Sequence, residues 1–235
     1  MFLSQPVFAA VMTSTNYSIQ SDTVNFGGGL SSSTSYTQES TFGEVATGLS
    51  NSASYAVKAG YQQMQEVYLA IGTVSDVTLS PSIDGTVGGT SNGSTTVLVT
   101  TDNQAGYELY LKASSSPALT SGANSFANYT PAGANPDFIF SILTTVAEFA
   151  FSPEGSHITS EYKDNGSTCN VGALDTNDSC WNPLTTTNEL IAQSATPNHP
   201  TGTATVLEFR AQSGTSNVQL AGTYKATSTV TVLAL

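Results

Sequence analysis

Apolar and polar residues alternate with a period of two along several stretches of this chain. The longest such run lies at its end, where Tyr224, Ala226, Val230, Val232 and Ala234 share one parity and Lys225, Thr227, Thr229 and Thr231 the other. Alternation held over about a dozen residues predicts a long strand with one face buried. Residues 95–101 (Thr-Thr-Val-Leu-Val-Thr-Thr) are β-branched nearly throughout, and Tyr107, Leu109 and Leu111 then alternate with Glu108, Tyr110 and Lys112. With residues 102–106 as the turn, the two predict a β-hairpin. Further strands are predicted at 67–71, 74–79, 138–142, 148–151 and 203–212. In the last of these, Leu207 and Phe209 face the core, with Val206 and Arg210 on the other side. Residues 80–93 read as a Gly/Pro/Ser/Asn-rich loop. Residues 114–136 and 153–200 read as long loops, the second with a helical turn near 187–192.

The first quarter of the chain follows a different rhythm. Tyr17, Tyr36 and Tyr55 stand nineteen residues apart, each after a small polar residue, Asn16, Ser35 or Ser54. Gly29 and Gly48 keep the same interval, and a leucine follows each, Leu30 and Leu49. The unit reads as a short strand bounded by polar turns, with the tyrosine as a buried anchor whose hydroxyl reaches a wet edge. Gly27-Gly28-Gly29 reads as a turn needing positive φ. A polar hinge at 62–66 separates this region from the rest. The expected organisation is therefore residues 1–10 as the remnant of a signal peptide, 11–64 as an N-terminal β-repeat, and 65–235 as a β-sandwich with long loops. Val7 and Ala9 stand three and one residues before a cut preceding Ala10, as a signal-peptide tail requires. The fold class expected is all-β, an Ig-like or jelly-roll-like sandwich carrying an N-terminal β-rich repeat.

Composition agrees with strands and turns and narrows the partners. Charged residues are 9% of the chain, and five Lys and Arg against 17 Asp and Glu leave a formal net charge of −12. Phosphate recognition needs a basic face, so a nucleic-acid partner is not expected, and an anionic membrane surface is disfavoured for the same reason. The chain has no apolar run of about 18 residues, so no transmembrane helix is expected.

Few residues suggest chemistry. Cys169 and Cys180 lie close together in one polar loop, and in an exported chain they are expected to form a disulfide. Asp164, Asp175 and Asp178 in the same loop offer oxygen ligands of the kind calcium uses, without the EF-hand pattern. No other cofactor is expected. His157 and His199 are the two histidines, and no Gly-x-Ser-x-Gly elbow accompanies them. The acids Asp137, Glu148, Glu154, Glu161 and Glu208 form no pattern that marks a glycosidase pair, and Glu148 and Glu208 read as solvated strand positions. No catalytic residue is assigned, and the chain is not expected to be an enzyme. Tyr17, Tyr36, Tyr55, Tyr107, Tyr110, Tyr129 and Trp181 are the aromatics offered for sugar stacking, the three repeat tyrosines reading rather as buried anchors.

Two resemblances follow from these motifs. Asn16-Tyr17-Ser18-Ile19, Gly43-Glu44-Val45-Ala46-Thr47-Gly48 and Tyr55-Ala56-Val57-Lys58-Ala59-Gly60-Tyr61 resemble a repeat of secreted surface proteins from largely uncultured bacteria. The Ser/Thr-rich strands and Gly222-Thr223-Tyr224-Lys225-Ala226-Thr227 are similar in style to WxL-like surface β-sandwich modules, although Trp181-Asn182-Pro183-Leu184 departs from the Trp-x-Leu signature. Both resemblances imply an exported structural or adhesive role with no catalytic residues.

The expected function is a structural subunit of a bacterial cell-surface layer or extracellular filament, with the protein itself as partner. Assembly by strand donation is expected from residues 11–26, where Tyr17, Ile19, Val24 and Phe26 are the apolar donor positions. The alternative is a carbohydrate-binding or adhesion module that takes surface glycans.

Overall fold

The structure, a computed structural model, describes residues 12–13, 18–19, 27–35, 37–43, 48–51, 56–59, 67–133 and 136–235. The protein is all-β: these residues form strands, turns and one 3-10 turn at Ser160–Tyr162, with no α-helix among them. Two compact units divide the chain, Met1–Glu66 and Val67–Leu235.

Among the described residues the first unit holds three antiparallel strand pairs. β1 (Met12–Thr13) pairs with β2 (Ser18–Ile19), β3 (Gly27–Ser32) with β4 (Thr37–Phe42), and β5 (Gly48–Asn51) with β6 (Ala56–Ala59). Gly27, Gly28 and Gly29 open β3 rather than forming a turn. The repeat anchors Tyr17, Tyr36 and Tyr55 and the donor positions Val24 and Phe26 lie outside the described residues. Ile19 is described, and its backbone lies opposite Met12. Met12–Thr13 and Ser18–Ile19 thus run antiparallel to each other. An isolated two-stranded hairpin is marginally stable in water, and in the second hairpin Leu30 and Phe42 are both exposed.

The second unit is a sandwich of two unequal sheets. Its strands are β7 (Leu69–Ile71), β8 (Gly89–Thr101), β9 (Tyr107–Ala113), β10 (Leu119–Ser121), β11 (Asn124–Asn128), β12 (Ala147–Glu154), β13 (Asn182–Pro183), β14 (Glu189–Ser194), β15 (Thr203–Ser213) and β16 (Ser228–Ala234). The larger sheet runs β10-β11-β12-β15-β8-β7, with β13 paired onto β12. The smaller sheet is β14-β9-β16. Among the described residues only the β11–β12 pair is parallel. Alternation sets the core: Tyr107, Leu109 and Leu111 of β9 are fully buried against Val97 and Val99 of β8, Leu207 and Phe209 of β15, and Phe149 and Phe151 of β12. Full burial of a side chain of this size contributes about 2 kcal/mol.

Several sequence expectations are corrected. Strands β8 and β9 do not form a hairpin: β8 pairs with β15 and β7, and β9 with β14 and β16. Their apolar faces meet across the core instead, and residues 102–106 carry the chain from one sheet to the other. Residues 114–136 are not simply a loop, since they hold β10 and β11. Likewise, 187–192 falls largely in strand β14 rather than a helical turn. Residues 138–142 and 74–79 are irregular rather than strands. The final strand is shorter than its alternation suggests, because residues 222–227 leave the sheet and Lys225 pairs with Thr120.

Candidate functional site: an open sheet edge and the cleft behind it

Each sheet of a sandwich ends in two edge strands, and an unpaired edge is a template for another chain. Three of the four edges in this sandwich are blunted. Outside β14, His157 O accepts from Gln193 N (2.8 Å) and Thr159 N donates to Ile191 O (3.1 Å), and the β14–β9 register carries a bulge between Leu190 and Ala192. Outside β10, Thr120 and Lys225 exchange backbone hydrogen bonds of 3.0 and 2.8 Å. β7 is three residues long. The fourth edge, β16, is different. Its seven residues, Ser-Thr-Val-Thr-Val-Leu-Ala, carry no charge and no proline. Among the described residues β16 pairs with β9 alone, from Ser228↔Ala113 to Ala234↔Tyr107.

Beside this edge the larger sheet overhangs the smaller one, and a cleft of about 1110 Å3 opens. Its floor is the inner face of the larger sheet, with Phe126, Phe149, Leu207 and Phe209. Phe149 and Phe209 stack with ring centres 6.0 Å apart. One wall is residues 219–228 together with Val230 of β16. The other is residues 71–85, which leave β8 after Gly72 N→Leu98 O (2.8 Å) and rejoin it at Ser80 N→Asn92 O (2.9 Å). Gly93 lets this wall lie close, since a Cβ there would stand 2.7 Å from the Val77 side chain. The walls meet at one end, where Gln219 N donates to Gly85 O at 2.8 Å. Tyr224 is held over Phe126, edge to face at 5.0 Å, by donating to Leu220 O (2.7 Å) and accepting from Gln219 Nε2 (2.7 Å). Asp76 and Lys225 are the charged residues of the lining.

The residues singled out in the sequence lie elsewhere. Cys169 and Cys180 are bridged, with Cα atoms 5.6 Å apart, and both are buried in the main core rather than on a peripheral loop. Asp164 accepts from Gly166 N, Thr176 N and Thr176 Oγ1. Burial alone would raise its carboxyl, but these hydrogen bonds outweigh burial and hold it below the usual range. Asp175 accepts from Gly155 N, and Asp178 pairs with Arg210. The three carboxylates thus each serve a different protein partner. Among the described residues no group of three or more His, Cys, Asp and Glu is placed to hold a metal.

Trp181 and Tyr129 are not surface platforms. They are 1% and 2% exposed and form a second small core with Phe140 and Ala150 on the outer side of β12. That cover explains why β12 is buried on both faces, and why Glu148 is buried instead of solvated. Burial raises the Glu148 carboxyl, against a hydrogen bond from Thr130 N. Burial also pushes Tyr129 up to about 12. Of the histidines, His157 Nδ1 lies 3.0 Å from Tyr107 Oη, and His199 is exposed with its ring edge-on to Tyr68.

Fold and site together define a disulfide-bonded all-β sandwich with one open edge. No protein-family model, no curated protein and no solved structure matches the chain. Among the described residues no helix is long and apolar enough to cross a membrane. Sequence reasoning missed the cleft because its walls are irregular segments, 71–85 and 219–228. One signal was present, the seven uncharged β-forming residues of β16.

Proposed function

We propose that this protein is an exported structural subunit, built into a bacterial cell-surface layer or extracellular filament through the edge of β16. The observation that carries the reading is the contrast between this edge and the other three. Natural sheets blunt their edges with charge, proline, bulges, short strands or covering segments, and each of the other edges has one of these devices. The Cys169–Cys180 bridge suits an oxidising compartment. Low charge density suits close packing of copies, although the net −12 opposes approach at low salt.

The test is assembly of the purified protein over a rising concentration series, followed by sedimentation and negative-stain imaging. Wild type is expected to form filaments or sheets, more readily at 0.5 M salt than at 0.02 M, about where screening becomes complete. Thr231→Lys, which places a cation on the edge, is expected to stay monomeric with an unchanged Tm. Wild-type protein that remains monomeric throughout would refute the proposal.

A further inference from the structure

We infer that the cleft beside β16 receives strand β6 of a second copy, which extends the smaller sheet by the hairpin β5–β6. This rests on the assembly reading above and names the segment that assembles.

The cleft sets the requirements. An occupant must present backbone N–H and C=O groups to β16. It must be extended, because the site is a trough between two chain segments. Every second side chain must be apolar, because the floor is Phe149, Phe209, Leu207 and Phe126. It must also carry little charge along its length, since Asp76 and Lys225 are the charged residues of the lining. These are the terms of strand addition, in which main-chain bonds supply affinity and alternate side chains fill the acceptor.

Within residues 11–66, one window meets them. Ala53, Tyr55, Val57, Ala59 and Tyr61 are consecutive odd positions, and Lys58 is the one charged residue of the window, on the opposite parity. The 11–26 stretch does not: Tyr17 and Ile19 are odd, Val24 and Phe26 are even, and Met12–Thr13 already pairs with Ser18–Ile19. β6 spans four residues, Ala56–Ala59, or about 13 Å, and so covers about half of the seven-residue edge of β16. β6 pairs with β5 on one side, and among the described residues its other edge has no partner strand. The strand count also agrees. The larger sheet has six strands on its main path and the smaller has three, so an added hairpin gives five facing six. Among the described residues β16 is paired with β9 alone. Each copy then offers one donor edge, in the first unit, and one acceptor edge, in the second. Such a contact is head-to-tail, and unless its rotation closes a ring it propagates as a fibre.

The test uses two single variants of the full chain, Lys58→Cys and Thr231→Cys, with Thr229→Cys as the neighbouring register. These positions lie on the parity facing away from the floor, so the cleft residues are untouched. The variants are mixed, allowed to assemble, oxidised and run on a non-reducing gel. A dimer band that forms in the mixture and in neither variant alone is expected with one of the two registers. A synthetic peptide of residues 53–61 in excess is expected to abolish that band, and Val74→Asp in the cleft wall to weaken it at least tenfold. If the protein assembles and no mixed band appears with either register, β6 is not the occupant, while the assembly proposal stands. A Lys58→Cys/Thr231→Cys chain that closes only on itself as a monomer likewise overturns insertion between copies. Wild type that does not assemble overturns both proposals.

Discussion

The Arg210 guanidinium carbon lies 4.4 Å from the centre of the Trp181 ring. The same guanidinium donates from Nε to Asn92 Oδ1 (2.7 Å) and from Nη2 to Asp178 (3.1 Å), and Trp181 Nε1 donates to Asp178 O (3.0 Å). Arg210 thus clamps the outer core onto the face of β15. Arg210→Ala is expected to lower stability by about 2 kcal/mol, combining the stacking, the ion pair and lost packing. Arg210→Lys keeps the charge but loses the planar stack, and is expected to recover less than half of the loss. Urea melts of the two variants measure it.

The Cys169–Cys180 bridge closes a short loop, with a sequence separation of 11. Loop closure alone is worth about 3 kcal/mol for a ring of this size. Because both sulfurs are buried in the main core, replacement by serine adds the burial of two hydroxyls. The double Cys→Ser variant is therefore expected to lose more stability than the wild type loses on reduction. Thermal melts of the variant, and of wild type with and without reductant, make the comparison.

Stability is expected to rise as pH falls from 7.5 to about 5. Six carboxyls, those of Glu148, Glu154, Glu161, Asp175, Glu189 and Glu208, are raised, burial being the first cause in each. Neighbouring acids add to this, Asp175 and Asp178 at Glu154, and Glu154 at Glu208. A carboxyl raised on folding contributes stability below its unfolded value and loses it as pH rises through its folded value. His157, lowered by burial and by Lys163, works the other way, and loses stability as pH falls through its unfolded value. It is one group against six. Below about pH 4 the trend reverses, because Asp164 is lowered and its contribution is lost on protonation. Calorimetric Tm against pH should peak between these limits, and Glu154→Gln should flatten the rise.

Gly106 ends the turn that crosses the sandwich. Its φ is +85°, and a Cβ there would overlap the carbonyl oxygen of Ser194. Gly106→Ala is expected to cost about 3 kcal/mol, since backbone must move as well as adopt a left-handed conformation. Gly122 has a φ of +61° with open space around it. Gly122→Ala should therefore cost only the conformational penalty, about 1 kcal/mol. Chemical denaturation of the pair separates the two effects.

What was legible in the sequence is the part that depends on local periodicity. Alternation in Tyr107, Leu109 and Leu111, and in Leu207 and Phe209, determined which side chains turn inward, because in a strand successive side chains point to opposite faces whatever the neighbours are. The all-β class followed from that pattern together with the shortage of helix-forming residues. Which strand lies beside which was decided by tertiary structure alone. The pattern in residues 95–101 and 107–111 predicts a hairpin, but two strands facing across a core bury the same side chains, so local periodicity does not separate the two arrangements. The larger sheet took β8 because β15 offers it an eleven-residue ladder, Thr203↔Val99 to Ser213↔Gly89. The burial of Trp181, Tyr129 and Glu148 was hidden for a similar reason. An aromatic or acidic residue in a polar loop carries no local mark of whether the loop folds back over a sheet. The cleft, too, exists only because a six-stranded path faces a three-stranded sheet, a mismatch that arises from pairing across long sequence separations.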